Sequence, residues 1–183
     1  MQYKKPPMKE LRIVFTRSKK WFAPFSWAIM LWTKKPYSHV ARAIQIRDWG
    51  FRFSHAAEGS VRNDFEDEFY RKNVLIKEYR LAICEESDLR VKKAFYTEQG
   101  KVYGMLQNLG IALVDMGLVK DTPWKKGRNC SELIYRKFLK EILPELNYNP
   151  DTIKPHHIEN IILKYFKQQE DGLWHLTESA DSV

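Results

Sequence analysis

Short alternating runs of apolar and polar residues fill the first half of the chain, and helical spacing takes over in the second. Leu11-Arg12-Ile13-Val14-Phe15-Thr16 predicts a strand over 11–16. Phe25 to Thr33 predicts a short, very apolar helix that suits the wall of a groove. Tyr37 to Ile46, entered through Pro36, and Phe51 to Ala57 read as two strands joined by a turn at Asp48-Trp49-Gly50. Val61 to Lys72 reads as a charged loop or short helix, and Val74 to Leu81 as another strand. Ser87 or Asp88 then caps a helix carrying Leu89, Val91, Phe95 and Tyr96. Met105 to Leu118 is apolar and helical in pattern, weakened by Gly110, and Asp121 to Arg128 is turn-rich. Leu133, Ile134, Phe138 and Ile142 recur at helical spacing, as do Ile158, Ile161, Ile162, Tyr165 and Phe166. The predicted class is α+β.

The chain has 183 residues, enough for one well-buried domain. Residues 1–9 read as a flexible basic lead, 10–176 as a single domain and 177–183 as a disordered tail. Two cysteines, Cys84 and Cys130, give no disulfide framework and are expected to be reduced. No apolar run has spanning length and no secretory segment follows the basic start, so a cytoplasmic location as synthesised is expected. Action outside the cell would then need lysis, injection or packaging in a particle.

Charge is unevenly spread. Residues 1–50 hold eleven Lys or Arg against two acids, clustered around the aromatic segment Trp21 to Trp32. This basic N-terminal third suits an anionic surface, a membrane leaflet or a polymer, or is simply a solvated flank. No zinc-finger, RNP or Walker pattern supports a specific nucleic-acid module, and no cofactor motif or metal-ligand spacing is present.

The candidate chemistry lies in Arg128-Asn129-Cys130-Ser131-Glu132. Asn129 is a good N-cap and Glu132 stands where a capping-box carboxylate belongs, so Cys130 becomes the first residue of a buried helix. Free N–H groups and the macrodipole there favour a thiolate over a thiol. A small buried hydrophobe is the other reading of such a cysteine. His39 and His55, on neighbouring predicted strands, supply imidazoles, although strand histidines also serve as plain core residues. Cys–His catalysis needs a base for the thiol proton and a third polar group to fix the ring. Cys84 reads as core; His156 and His157 read as exposed in the first turn of the last helix, beside Pro155, and His175 has no partner at recognisable spacing.

Tyr37-Ser38-His39-Val40, then Ser54-His55-Ala56, then Asn129-Cys130-Ser131-Glu132-Leu133-Ile134-Tyr135 resembles the permuted branch of the NlpC-type papain-like cysteine peptidases. In that branch the histidine strand precedes the cysteine helix. Leu11 to Arg17 resembles the opening strand, Gly100-Lys101-Val102-Tyr103-Gly104 the segment before the nucleophile, and Asp151 to Pro155 the start of the closing helix. The resemblance spans roughly residues 10 to 166 and rests on the order of its pieces. Asn129 and Glu132 depart from the standard Asp and Gly, and Gly104 follows Tyr103 where relatives often carry Asp.

The resemblance implies a papain-like fold, a small antiparallel sheet carrying His39 and His55 with the Cys130 helix packed against it. It implies a thiol amidase or endopeptidase acting through a thioester, usually on peptidoglycan-type peptides of bacterial or phage setting. Cys130 would be the nucleophile, His39 the base and His55 its orienting group, with Glu58 an alternative. The Cys130 amide, with Tyr103, would contribute to the oxyanion site. Two other functions stand beside this: a lipid acyltransferase or thioesterase of the lecithin retinol acyltransferase type, and a non-enzymatic module binding an anionic partner.

Overall fold

A computed structural model describes residues 8–20, 24–46, 50–57, 60–102, 104, 110–111, 113–120 and 129–177. Its centre is a mixed sheet in the order β4-β3-β2-β1-β5-β7-β6. These strands are β1 (Met8–Ser18), β2 (His39–Gln45), β3 (Phe51–Ala57), β4 (Ser60–Phe65), β5 (Asn73–Cys84), β6 (Phe166–Gln168) and β7 (Trp174–Leu176). The α+β class is therefore present, but the sheet is larger than the small antiparallel one expected. The short hairpin β6–β7, which carries too few apolar positions to announce itself, docks parallel on β5 through Leu81↔Trp174.

Alternation gives the sheet two apolar faces. Leu11, Ile13 and Phe15 of β1, with Val40 and Ile44 of β2, join the main core. Val14, Ala41, Ala43 and Phe53 point the other way, into a smaller cluster closed by Phe69. The helices are α1 (Pro24–Thr33), α2 (Glu66–Lys72), α3 (Glu85–Glu98), α4 (Cys130–Ile134), α5 (Lys140–Ile142) and α6 (Pro155–Tyr165). A π-helical turn, Tyr135–Leu139, joins α4 to α5. Phe69 of α2 stacks on Phe53 with ring centroids 4.5 Å apart. The segment expected as one charged loop or helix is thus split, strand to Phe65 and helix beyond.

α4, the π turn and α6 cover the main face. Cys130, Ile134, Phe138 and Leu139 meet Ile158, Ile161 and Ile162 over β1 and β2. One buried carboxylate ties α6 to β5 and to the segment leading into β2: Glu159 accepts hydrogen bonds from Tyr37 (2.5 Å), Tyr79 (3.0 Å) and Lys77 (2.6 Å). α3 starts at Glu85, two or three residues before the expected cap, and buries Ser87 and Asp88 with Val91 and Phe95. Leu89 and Tyr96 of that helix face solvent. No helix among the described residues is long and apolar enough to cross a membrane.

Candidate active site

The helix cap forms as its residue types dictate. Asn129 is extended, and its Oδ1 accepts the Glu132 amide at 2.7 Å. Glu132 gives its carboxylate to Arg136 at 2.9 Å. Cys130 is consequently the first residue of α4, 2% exposed and packed among Val40, Ile44 and Ile134. Its sulfur lies 3.9 Å from the Ser131 hydroxyl, and the Val40 amide and Ser131 beside it act to favour the charged form. Those donors, and the helix start, favour a thiolate. Burial outweighs them and pushes the thiol above its ordinary range. The expected thiolate is therefore not the resting form: at neutral pH Cys130 is a protonated thiol.

His39 opens β2, and its backbone pairs with Thr16. Alternation puts its ring on the face of Ala41 and Ala43, while Val40 turns toward Cys130. The thiol and the imidazole thus approach the 39–40 peptide from its two sides. They do so at an open end of the sheet, since the last β2–β3 pair on that side is Arg42↔Ser54. No hydrogen bond joins sulfur and ring. The His39 Nε2 is buried and has no hydrogen-bond partner among the described residues. Burial, reinforced by the neighbouring His55, pushes the His39 pKa down to about 3.

His55 lies across the gap, its ring centroid 5.8 Å from that of His39 at an interplanar angle of 76°. The two predicted histidines are therefore neighbours, edge to face. The His55 hydrogen bond goes elsewhere, from Nε2 to Asp64 Oδ2 at 2.9 Å. Phe69 closes the other side of the ring at 4.9 Å. The His55 contact and Arg62, 3.4 Å from Oδ1, hold the Asp64 carboxyl below its usual range against the effect of burial.

Asp64 was not among the sequence candidates. β3 and β4 pair as Phe53↔Asp64 and His55↔Arg62, so Asp64 shares a face with His55 and sits diagonal to it. The signal was available: two short runs separated by Glu58-Gly59 predict a tight hairpin, and a hairpin fixes that register. Glu58 and Tyr103 both lie outside the described residues. The residues beside Tyr103 are placed: the Val61 amide bonds the Lys101 carbonyl at 2.9 Å, and Val102 bridges to Ser60 at the edge of β4.

Arg42, two residues along β2 from Val40, was also unforeseen. It is fully buried on the helix-covered face, and its Nη1 donates to the Lys137 carbonyl at 2.7 Å. The π turn widens the helix there, and Arg42 holds that turn on β2. The helical segment that begins at Cys130 is thus fastened to β2 through Arg42.

Cys84, expected in the core, is exposed at the end of β5, where the chain leaves the sheet for α3. Its sulfur bonds the Ser87 hydroxyl at 3.2 Å, and this contact lowers its pKa. The His156 and His157 rings meet edge to face at the start of α6, centroids 4.2 Å apart, and no cluster of metal-ligand residues occurs among the described residues. No protein-family model matches the chain, and neither a curated protein nor a solved structure does.

Proposed function

We propose that the chain is a papain-like thiol hydrolase of the permuted NlpC type, cleaving an amide bond in peptidoglycan-type peptides. One observation carries the reading. A capped helix start holds the Cys130 sulfur at the Val40 amide, one residue from His39, and the His39 ring faces a His55 fixed by Asp64.

In this reading Cys130 attacks the carbonyl carbon as its proton passes to His39. Because thiol and imidazole are both neutral at rest, transfer accompanies attack and does not precede it. The His39 ring has to rotate toward the sulfur around the end of β2; such contacts are often loose before substrate binds. His39 then protonates the leaving amine, and water releases the thioester. The Asp64 carboxylate behind His55 favours the imidazolium that forms at His39, against the opposing effects of burial and of His55 itself. The amides around the sulfur are donors suited to a developing oxyanion.

The test is the mass of the Cys130 peptide after incubation with muropeptides or with phospholipids, quenched in acid. A hydroxylamine-labile acyl adduct from muropeptides, absent in His39→Ala, supports the amidase. An adduct from phospholipid alone moves the activity to lipid acyl transfer, and none from either removes the nucleophile.

A further inference from the structure

α1 is almost wholly apolar, yet it is not sealed into the core. Trp27 is 61% exposed and Leu31 83% exposed. Their i, i+4 spacing puts them on one face, beside the exposed Ala28. The opposite side is tied to the protein: the Ser26 and Ser38 hydroxyls meet at 2.5 Å, one residue from His39. α1 is therefore a fixed helix lying on the surface next to the candidate site.

The charges around it have one sign. No acid occurs between Glu10 and Asp48. Lys19 and Lys20 are exposed on the approach to α1, and Lys34 is exposed just past its end, seven residues from Trp27. Lys34 adopts a left-handed backbone, with φ 53°, that ends the helix there. Neighbouring cations are occupied: Lys35 reaches Glu159 at 3.5 Å, and Lys154 pairs with Asp115 beside the Trp32 ring. Lys19, Lys20 and Lys34 have no carboxylate partner among the described residues.

We propose that this face seats the protein on an anionic lipid bilayer. Trp27 and Leu31 enter the boundary between headgroups and acyl chains, and Lys19, Lys20 and Lys34 meet the lipid phosphates. An indole beside aliphatic side chains suits that boundary, and lysines flanking a surface helix add attraction to anionic lipid. A second copy fits poorly, since a two-fold contact brings the same patch, and the same lysines, together. Seating α1 would bring the end of β2, with His39, close to the lipid surface.

Sedimentation with phosphatidylcholine vesicles, with and without phosphatidylglycerol, at low and high salt, tests this. Binding is expected only with phosphatidylglycerol present and is expected to weaken as salt rises. Replacing Lys19, Lys20 and Lys34 by Gln should lower affinity roughly fivefold per residue. Trp27→Ser with Leu31→Ser should lower it on the order of a hundredfold. Both side chains are exposed, so the thermal midpoint should hold. Cys130→Ala should bind like the unaltered protein, which separates this inference from the hydrolase reading. Absent binding to the anionic vesicles, equal binding to neutral ones, or unaltered binding by both surface variants overturns it. So does a concentration-dependent dimer that disappears with the Trp27 and Leu31 substitutions.

Discussion

His55 donates from Nε2 to the Asp64 carboxylate at 2.9 Å, with side chains only 3% and 5% exposed. An ionised carboxylate only accepts, so the proton on that nitrogen is assigned by chemistry, and in the neutral ring Nδ1 is left as an acceptor. A buried negative charge is thereby placed behind the ring that faces His39.

Asp64→Asn keeps a hydrogen-bond partner for His55 and removes the charge. In a turnover assay on muropeptides it should lower kcat/KM by roughly 10- to 1000-fold. The acid limb of the pH–rate profile should move down, because imidazolium is less stabilised and the base stays neutral to lower pH. An unchanged profile would assign Asp64 to folding alone.

Thiol reactivity should follow exposure and thiolate fraction. Cys84 is exposed with a lowered pKa, and Cys130 is buried with a raised one. Iodoacetamide at neutral pH should label Cys84 faster in the native protein, by at least about tenfold. In denaturant the two rates should converge. Preferential native labelling of Cys130 would mean that the resting site is open.

Acid should destabilise the fold through His39 before it does so through carboxylates. A histidine held neutral, with its pKa pushed down to about 3, contributes stability that is complete above its unfolded pKa. That stability is lost as pH falls from about 6.5 toward 3. Between pH 7 and 5 the loss is up to about 2 kcal/mol. His156 and His157 also have lowered values and add to the slope. His39→Gln should flatten chemical denaturation stability across that range without removing the slope entirely; an unaltered slope would place His39 in water.

Glu159 is the corresponding test of the core. Its pKa is held down to about 2 by bonds from Lys77, Tyr37 and Tyr79 that overcome burial, so its contribution falls away as pH drops from about 4.5 to 2. Glu159→Ala strands two tyrosine hydroxyls and should cost about 3 kcal/mol in urea denaturation. Glu159→Gln keeps an acceptor and should cost about 1 kcal/mol.

Local chemistry was legible wherever it needed no partner. The Asn129 cap, the strand around His39 and the helix of Ile158, Ile161 and Ile162 each follow from adjacent residue types and spacing. The exposed α1 face was not legible, because apolar composition does not say which side of a helix the rest of the chain covers. Cys84 was misplaced for a related reason: a strand's last residue belongs to core or surface according to where the chain turns.

The sequence by itself determined that Cys130 begins a helix and that two histidines occupy adjacent strands, since capping and strand alternation act within a few residues. Only the tertiary structure decided their electrical state and their company. Burial under α6 and against β2 overrides the helix start and keeps the thiol protonated. Pairing of β3 with β4 brings Asp64 to His55. Packing of the π turn on β2 buries Arg42. Each depends on desolvation or register between segments far apart in the chain, and pairwise spacing along a sequence does not encode either.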